Sequence, residues 1–530
     1  MIAHLEAENA YADERMRHLD PLRDRIVEEI RSRTQETDMG IPVRDGDWWY
    51  YGRTIEGQQY GLQCRVPAAP IDPANPLDPA VWTPPPPLDD PAQPREGEQL
   101  VLDANVEAEG HDFFSMGSFD VSDDGTMLLF GVDTVGDERY TLRIRDLATG
   151  EQLADEIPGT AAGAFFDPSG RYVFYSTVDE SWRPDTVWRH EVGTPSADDV
   201  SVFHEPDDGY WVGAGRSRSK RWLVIEASSS ITSEARVLDA ADPTGEFTVV
   251  WPREHGVEYD LDHAVIGGED RWLITHNRDA PDFTVVSLPV DAPLSTPETL
   301  IPHEPGRSLA EQLHWDELVV PVHGGPDALA SVGTRGNPEW HQPTLRIGWV
   351  SFIEPTTVGQ LDVATGAISV LKRQPVLGDF ATEEYEERRD WARAEDGTLV
   401  PISLVWKRGL VPALDVDSAA GSSQAEVSVE PAPVLLYGYG SYEASMDPGF
   451  SIPRLSLLDR GVVFAIAHVR GGGELGRAWY EQGKTTSKTN TFTDFVACAR
   501  HLVDSGVTVP ERLVAEGGSV VLGDIQFDKA

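Results

Sequence analysis

The apolar positions of the chain change their period several times. Over residues 1–38, Leu19, Leu22, Ile26 and Ile30 recur near every 3.6 positions, which predicts helix. Two β-rich runs follow, Asp47–Arg53 (DWWYYGR) and Gln59–Val66, and the Glu56-Gly57 pair between them predicts a hairpin. Over 67–99 the alternation stops. Pro84 to Pro87 is an unbroken proline run, and proline is dense on both sides. Proline lacks the amide hydrogen that helices and central strands require, so this stretch is expected to be an extended linker between domains.

From about 110 to 388 a looser repeat takes over: strand, polar turn, β-rich strand, charged loop, strand. Copies cover 119–145, 165–189, 213–237 and 262–286, with weaker ones at 314–336 and 346–370. The turns centred on Gly125, Gly170, Lys220 and Asp270 lie 45 to 50 residues apart. Four-stranded units at that period predict a β-propeller. Trp182, Trp188, Trp211, Trp222 and Trp272 are expected to pack its blades.

After 388 the pattern changes again. Arg389–Ala394 and Leu399–Lys407 flank an Asp396-Gly397 hairpin turn. Residues 415–430, rich in Ala, Ser and acid, are expected to form a disordered surface loop. Val434–Leu436, Val462–Ala467 and Leu513–Ala515 are short, wholly apolar runs of the kind that buried parallel strands show. Thr491–Val503 has helical spacing, with Asn490 as its expected N-cap.

The last of those apolar runs leads directly into Glu516-Gly517-Gly518-Ser519. A serine held in so tight a strand-to-helix turn has its hydroxyl lifted above the sheet edge, and Ser519 is the candidate nucleophile. Of the pattern G-x-S-x-G, Gly517 and Ser519 match and the final position is Val521. Tyr437-Gly438-Tyr439-Gly440-Ser441 follows an earlier strand, where such hydrolases place one oxyanion donor; the N–H after the serine is the other. These would be Tyr439 and the backbone of Val520. Arg470–Glu474 (RGGGE) lacks the residues of a phosphate-binding loop and is expected to be a tight turn beside the site. His468 falls inside a buried strand and His501 on a helix; His111 and His314 fall at blade edges. Cys64 and Cys498 lie far apart, fit no metal spacing and are expected to be two reduced thiols.

Composition narrows the partners. With 530 residues the chain is long enough for two or more domains. A net charge of -46 excludes nucleic acid, whose phosphates would be repelled. The charge fits a solvated acidic surface, or a field that draws in cationic substrates. No apolar run reaches the roughly 18 residues that a membrane span needs. The charged N-terminus has no signal-peptide core, so a cytoplasmic location is expected.

The chain resembles the prolyl oligopeptidase-type serine peptidases, and within them the oligopeptidase B group. The resemblance runs from about 10 to 519 and is carried by DWWYYGRTIEGQQYGLQCR, AEGHDFFSMGSFDVSDDG, LLYGYGSYEASMDPGFSIPRLSLLDRGVVFAIAHVRGGGELGRAWYEQGK and NTFTDFVACARHLVDSGVTVPERLVAEGGS. It implies an α/β-hydrolase domain built from both chain ends, 1–75 and 389–530, and a seven-bladed propeller over 76–388. It also implies cleavage of short basic peptides after Arg or Lys, without a cofactor. By position, Ser519 matches the nucleophile, Tyr439 the oxyanion tyrosine, and Val520 the backbone donor. Asp447 matches the first of two acids that bind basic side chains in some members, and the second falls on Gly449. The sequence departs from the family after Ser519, and the family's catalytic Asp and His have no counterpart in it. The hydrolase domain is therefore expected to be incomplete at its C-terminus and the chain inactive. A Pro-specific peptidase and a non-catalytic, peptide-binding propeller are the competing functions.

Overall fold

The computed structural model describes residues 1–305, 321–322, 328–415 and 430–518. Helices Ile2–Met16 and Asp20–Arg33 open the chain. Neither buries a residue, so the apolar spacing there marks helix without marking a core face. The second helix is held mainly by charge. Arg33 pairs with Asp459, and Arg460 meets Glu29 at 2.8 Å.

Six antiparallel units of four or five strands follow among the described residues. They cover residues 38–103, 115–160, 165–204, 211–249, 259–301 and 331–373. The second and third are continuous through one pairing, Thr160 with Thr177. Successive sheets pack face to face through apolar side chains. Leu102 of the first sheet meets Leu128 and Phe130 of the second, and Val224 of the fourth meets Trp272 of the fifth. The last sheet returns to the first: Lys372 reaches Asp38, and Arg346 donates to the Ile41 carbonyl at 3.2 Å. These are propeller blades arranged as a ring. Across its axis, Lys220 of the fourth sheet contacts Asp45 of the first at 2.9 Å and Asp123 of the second at 3.1 Å.

Several sequence expectations change in detail. The stretch 67–99 does not link domains. It leaves the strand Leu62–Pro67 and returns as Gln99–Asp103, which pairs with that same strand. Trp82 is buried on the way, with the Arg44 guanidinium 5.2 Å over its ring, and Arg53 donates to the Pro91 carbonyl. The division expected at 75/76 therefore cuts through one sheet. In the fifth sheet the turn is Gly267-Gly268, not Asp270, because two adjacent left-handed glycines close it. Trp272 is buried as expected, whereas Trp182 and Trp211 are 45% and 57% exposed. Trp182 sits at φ +60° and spends its indole N–H on the Asp137 carbonyl. The weak copy at 314–336, His314 included, lies largely outside the described residues.

The C-terminal sheet has the order 385–393, 399–407, 463–467, 434–438, 513–517. The first two strands form the hairpin expected at Asp396-Gly397, where Gly397 has φ +90°. Strands 463–467, 434–438 and 513–517 are mutually parallel. Helix Ile452–Leu458 crosses between the first parallel pair, and helix Thr489–Asp504 leads to the last strand. The latter helix begins one residue before Asn490, so Asn490 does not cap it; its amide donates to the Gln482 carbonyl instead. Trp406, Leu436, Ala465, Phe495 and Leu502 form the core of this α/β layer. Val514, on the edge strand, is 60% exposed.

Candidate functional site

The three parallel strands end at one level. Gly438 pairs with Ala467 on one side and with Gly517 on the other. Three segments therefore leave the same edge of the sheet: Tyr439–Ser441, His468–Glu474, and the chain that continues from Gly517 into Gly518. In an α/β sheet this carboxyl edge is where ligands and catalytic groups collect.

The Tyr439 loop is fixed by glycines that have no alternative. A Cβ on Gly438 would come within 2.8 Å of the Phe495 ring. Gly440 has φ +71°, and a Cβ there would lie 2.5 Å from Val469 and 2.6 Å from Thr491. Lys488 ties the loop from below, donating to Ser441 Oγ at 2.6 Å and to the Gly440 carbonyl at 2.5 Å. Desolvation lowers the pKa of this ammonium. Tyr439 is half-buried, and its ring lies against the last described residue: a Cβ on Gly518 would meet Tyr439 Cδ2 at 3.1 Å. The structure thus brings Tyr439 beside the residue that precedes Ser519. Ser519 and Val520 themselves lie outside the described residues.

The second loop is anchored by a buried ion cluster. Arg470 clamps Asp494 in a bidentate pair, 2.6 and 2.8 Å, and reaches Asp396 at 2.7 Å. Backbone and side-chain bonds from Thr398, with Arg470, hold Asp396 at a pKa of about 2. His468 is buried, with Nε2 2.6 Å from Ser403 Oγ and Nδ1 3.4 Å from Glu474. His501 lies on the helix surface, 3.1 Å from Asp390, whose hydrogen bond raises its pKa. Both histidines are thus engaged with partners on the first two strands of the sheet, Ser403 and Asp390. His111 is exposed in the propeller.

Asp447 lies in the loop between Ser441 and helix Ile452–Leu458. It is solvent-accessible, yet the surrounding protein, followed by the Glu474 carboxylate, raises its pKa; His468 and Arg389 pull the other way. Gly449 faces open space and offers no second acid. The propeller contributes to the same side of the molecule. Arg477 contacts Glu443 at 2.8 Å and Glu258, just before the fifth sheet, at 2.9 Å, and its N–H donates to Asp282. Lys488, Arg470 and Glu474 were not assigned roles from sequence. Only the RGGGE run gave any signal, because their partners lie up to 74 positions away.

Among the described residues there is no group of three or more His, Cys, Asp or Glu side chains placed to hold a metal. Cys64 and Cys498 are both buried and unpaired. Among the described residues no helix is long and apolar enough to cross a membrane.

Comparison with known proteins agrees with this architecture. Residues 1–335 match the model of the prolyl oligopeptidase N-terminal β-propeller domain, and residues 448–520 match that of the prolyl oligopeptidase family. Dipeptidyl aminopeptidase BI of Pseudoxanthomonas mexicana is 37% identical over 98% of this chain and 71% of its own length. Protease 2 of Moraxella lacunata is 33% identical over 98% of this chain and 72% of its own. Among solved structures, oligopeptidase B from Trypanosoma brucei, in a closed form with covalently bound antipain, superposes with a TM-score of 0.82 at 33% identity. That match covers 97% of this chain and 71% of the other.

Proposed function

Because the chain belongs to the prolyl oligopeptidase family of serine peptidases, we propose that it acts on short basic peptides, cleaving after Arg or Lys, with Ser519 as nucleophile. The observation that carries this reading is the common level of Gly438, Ala467 and Gly517, with Tyr439 packed on Gly518. A nucleophile following Gly518 would have the Tyr439 loop beside it as an oxyanion donor, with the Val520 N–H as the second donor. Asp447 supplies a carboxylate for a basic side chain, and the net charge of -46 adds a field that favours cations over anions. Neither metal nor cofactor enters this chemistry.

Ser519 needs a base to accept its proton. His468 and His501 are committed to Ser403 and Asp390, and no histidine follows position 519 in these 530 residues. We therefore expect the 530-residue polypeptide, assayed alone, to bind basic peptides and to turn them over only at a residual rate, on the order of 10⁴-fold or more below a triad. Arg-, Lys- and Pro-ended fluorogenic peptides test both parts, each used as substrate and as competitor of a labelled Arg peptide. Preferential binding of the Pro-ended peptide would replace the Arg/Lys reading by a Pro-specific one. Fast turnover abolished by Ser519→Ala would show that a base is present after all. A second reading, release of dipeptides from free N-termini, is favoured by the name of the Pseudoxanthomonas relative. Capped and uncapped forms of the same Arg peptide separate the two.

A further inference from the structure

The turn between strands 211–216 and 222–228 of the fourth sheet reads Ser217-Arg218-Ser219-Lys220. It closes through the Lys220 N–H on the Ser217 carbonyl at 2.8 Å, with Lys220 at φ +57°. Ser219 Oγ lies 2.9 Å from Nδ1 of His263, on the first strand of the fifth sheet. The other ring nitrogen, Nε2, lies 3.2 Å from Oδ1 of Asp270, on the second strand of that sheet. A hydroxyl, an imidazole and a carboxylate are thus hydrogen-bonded in series. All three belong to the propeller, so this is a different place from the carboxyl edge of the C-terminal sheet.

The partners fix where the hydrogens sit. Arg221 meets Oδ2 of Asp270 at 2.5 Å, and that hydrogen bond holds the carboxyl below its ordinary range. An ionised Asp270 only accepts, so Nε2 carries the ring hydrogen and Nδ1 keeps its lone pair. Ser219 therefore donates to Nδ1. Ser217 Oγ, 2.9 Å from Ser219 Oγ, accepts from the Trp222 N–H at 3.1 Å and donates its own hydrogen to Ser219. His263 is only 3% exposed and is stacked on Trp340, with ring centroids 5.8 Å apart and planes 17° apart. Ser219 and Trp340 are half-buried and remain within reach of a small molecule. A recess of about 220 Å³ is lined by Lys220, the next residue along, and by Pro338, two before Trp340. The Ser219 N–H donates to no acceptor among the described residues. The nucleophile's own N–H is a usual oxyanion donor in acyl transfer.

We propose that Ser219 is a second nucleophile of this protein, acylated by small aryl esters that rest against Trp340. Its Oγ would attack the ester carbonyl carbon as its proton passes to His263 Nδ1. The free Ser219 N–H is the donor available to the tetrahedral oxyanion. The bond from carbon to the aryloxide oxygen then breaks, and His263 returns the proton to that oxygen, leaving acyl-Ser219. A water molecule deprotonated by the same nitrogen releases the carboxylic acid and restores the hydroxyl. None of these steps depends on the peptide reading given above.

The test uses the 530-residue protein carrying Ser519→Ala, which removes the C-terminal serine from the assay. With p-nitrophenyl acetate it should release a burst of p-nitrophenolate approaching one equivalent per chain. The acetyl group should then be found on Ser219 in the chymotryptic fragment 212–222. Adding Ser219→Ala, which deletes a single hydroxyl, should abolish the burst. Asp270 is a positioning residue. Asp270→Asn should slow the burst about 10²-fold, the low end of what an oriented general base supplies, and Asp270→Glu should restore part of the rate. If Asp270→Asn loosens the sheet, the Ser219→Ala result decides. Absence of a burst in the Ser519→Ala protein would overturn the assignment, as would a burst that survives Ser219→Ala or an acetyl group carried by Ser217 or Lys220. An Asp270→Asn burst as fast as its parent's would reduce the three side chains to a staple between the fourth and fifth sheets.

Discussion

Replacing Arg470 with Met tests what holds the site loops at the sheet edge. The guanidinium is 3% exposed and satisfies both oxygens of Asp494, which is fully buried. The Arg470 N–H adds a third bond to the same carboxylate at 3.1 Å. Methionine fills much of the volume but leaves a buried carboxylate without its counter-charge. Breaking a buried pair from one side costs about 3–5 kcal/mol, far more than losing an exposed pair. The Asp396 contact adds little to this, since Asp396 is half exposed. At about 1.4 kcal/mol per decade, amide exchange in strands 434–438 and 463–467 should accelerate roughly 10²- to 10³-fold. The propeller sheets should be unchanged and serve as the internal control. Adding Asp494→Asn removes the stranded charge, and the double variant should recover much of the protection. A change below tenfold in Arg470→Met, or a double variant no better than the single, would refute the argument.

Two further outcomes follow from contacts already described. Gly440→Ala combines a left-handed φ with close approaches to Val469 and Thr491, and should destabilise the C-terminal unit by about 2–5 kcal/mol. Gly449→Ala, in open space with no positive φ, should change stability by less than about 0.5 kcal/mol; urea midpoints compare the two. Glu29 has its pKa lowered from 4.5 to about 2, first by its hydrogen bond to Arg460. Its folded value lies below its unfolded one, so its contribution is present above about 4.5 and is lost as pH falls through about 2. Pepsin release of residues 1–33 should therefore rise as pH falls between 4.5 and 2. An unchanged pH profile in Glu29→Gln would remove this pair as the cause.

What could be read from the sequence was mostly local. Gly125 and Gly170 mark real turns because a left-handed residue is needed there, and each stands at φ near +70°. The run Val463–Ala467 is buried at every position, as a parallel strand covered on both faces must be. The YGYGS run marked a turn after an apolar strand, and the structure places its Tyr439 beside Gly518. The failures were tertiary. Four prolines forbid regular structure between 84 and 87 but say nothing of where the chain goes next, and Trp82 and Arg53 bring it back to its own sheet. Asn490 has the chemistry of a cap, yet the helix starts one residue earlier. Glu474 had no sequence signal as a partner of Asp447, since 27 positions separate them and only the folded loops bring them together.

The ring of blades is closed by Lys372 on Asp38, residues 334 positions apart. No covalent bond joins the first sheet to the last among these contacts. That has a consequence for how the molecule is made. The first sheet emerges early from the ribosome but cannot gain its second neighbour until the chain beyond 372 has been synthesised. The entropic cost of so long a loop is modest, since each doubling adds only about 0.6 kcal/mol, but the search is slow because the contact is so remote. Until then the outer face of 38–103 stays uncovered. Ring closure is therefore the late step of propeller folding, and the seam between residues 38 and 372 is where a stalled chain would be vulnerable to pairing with another.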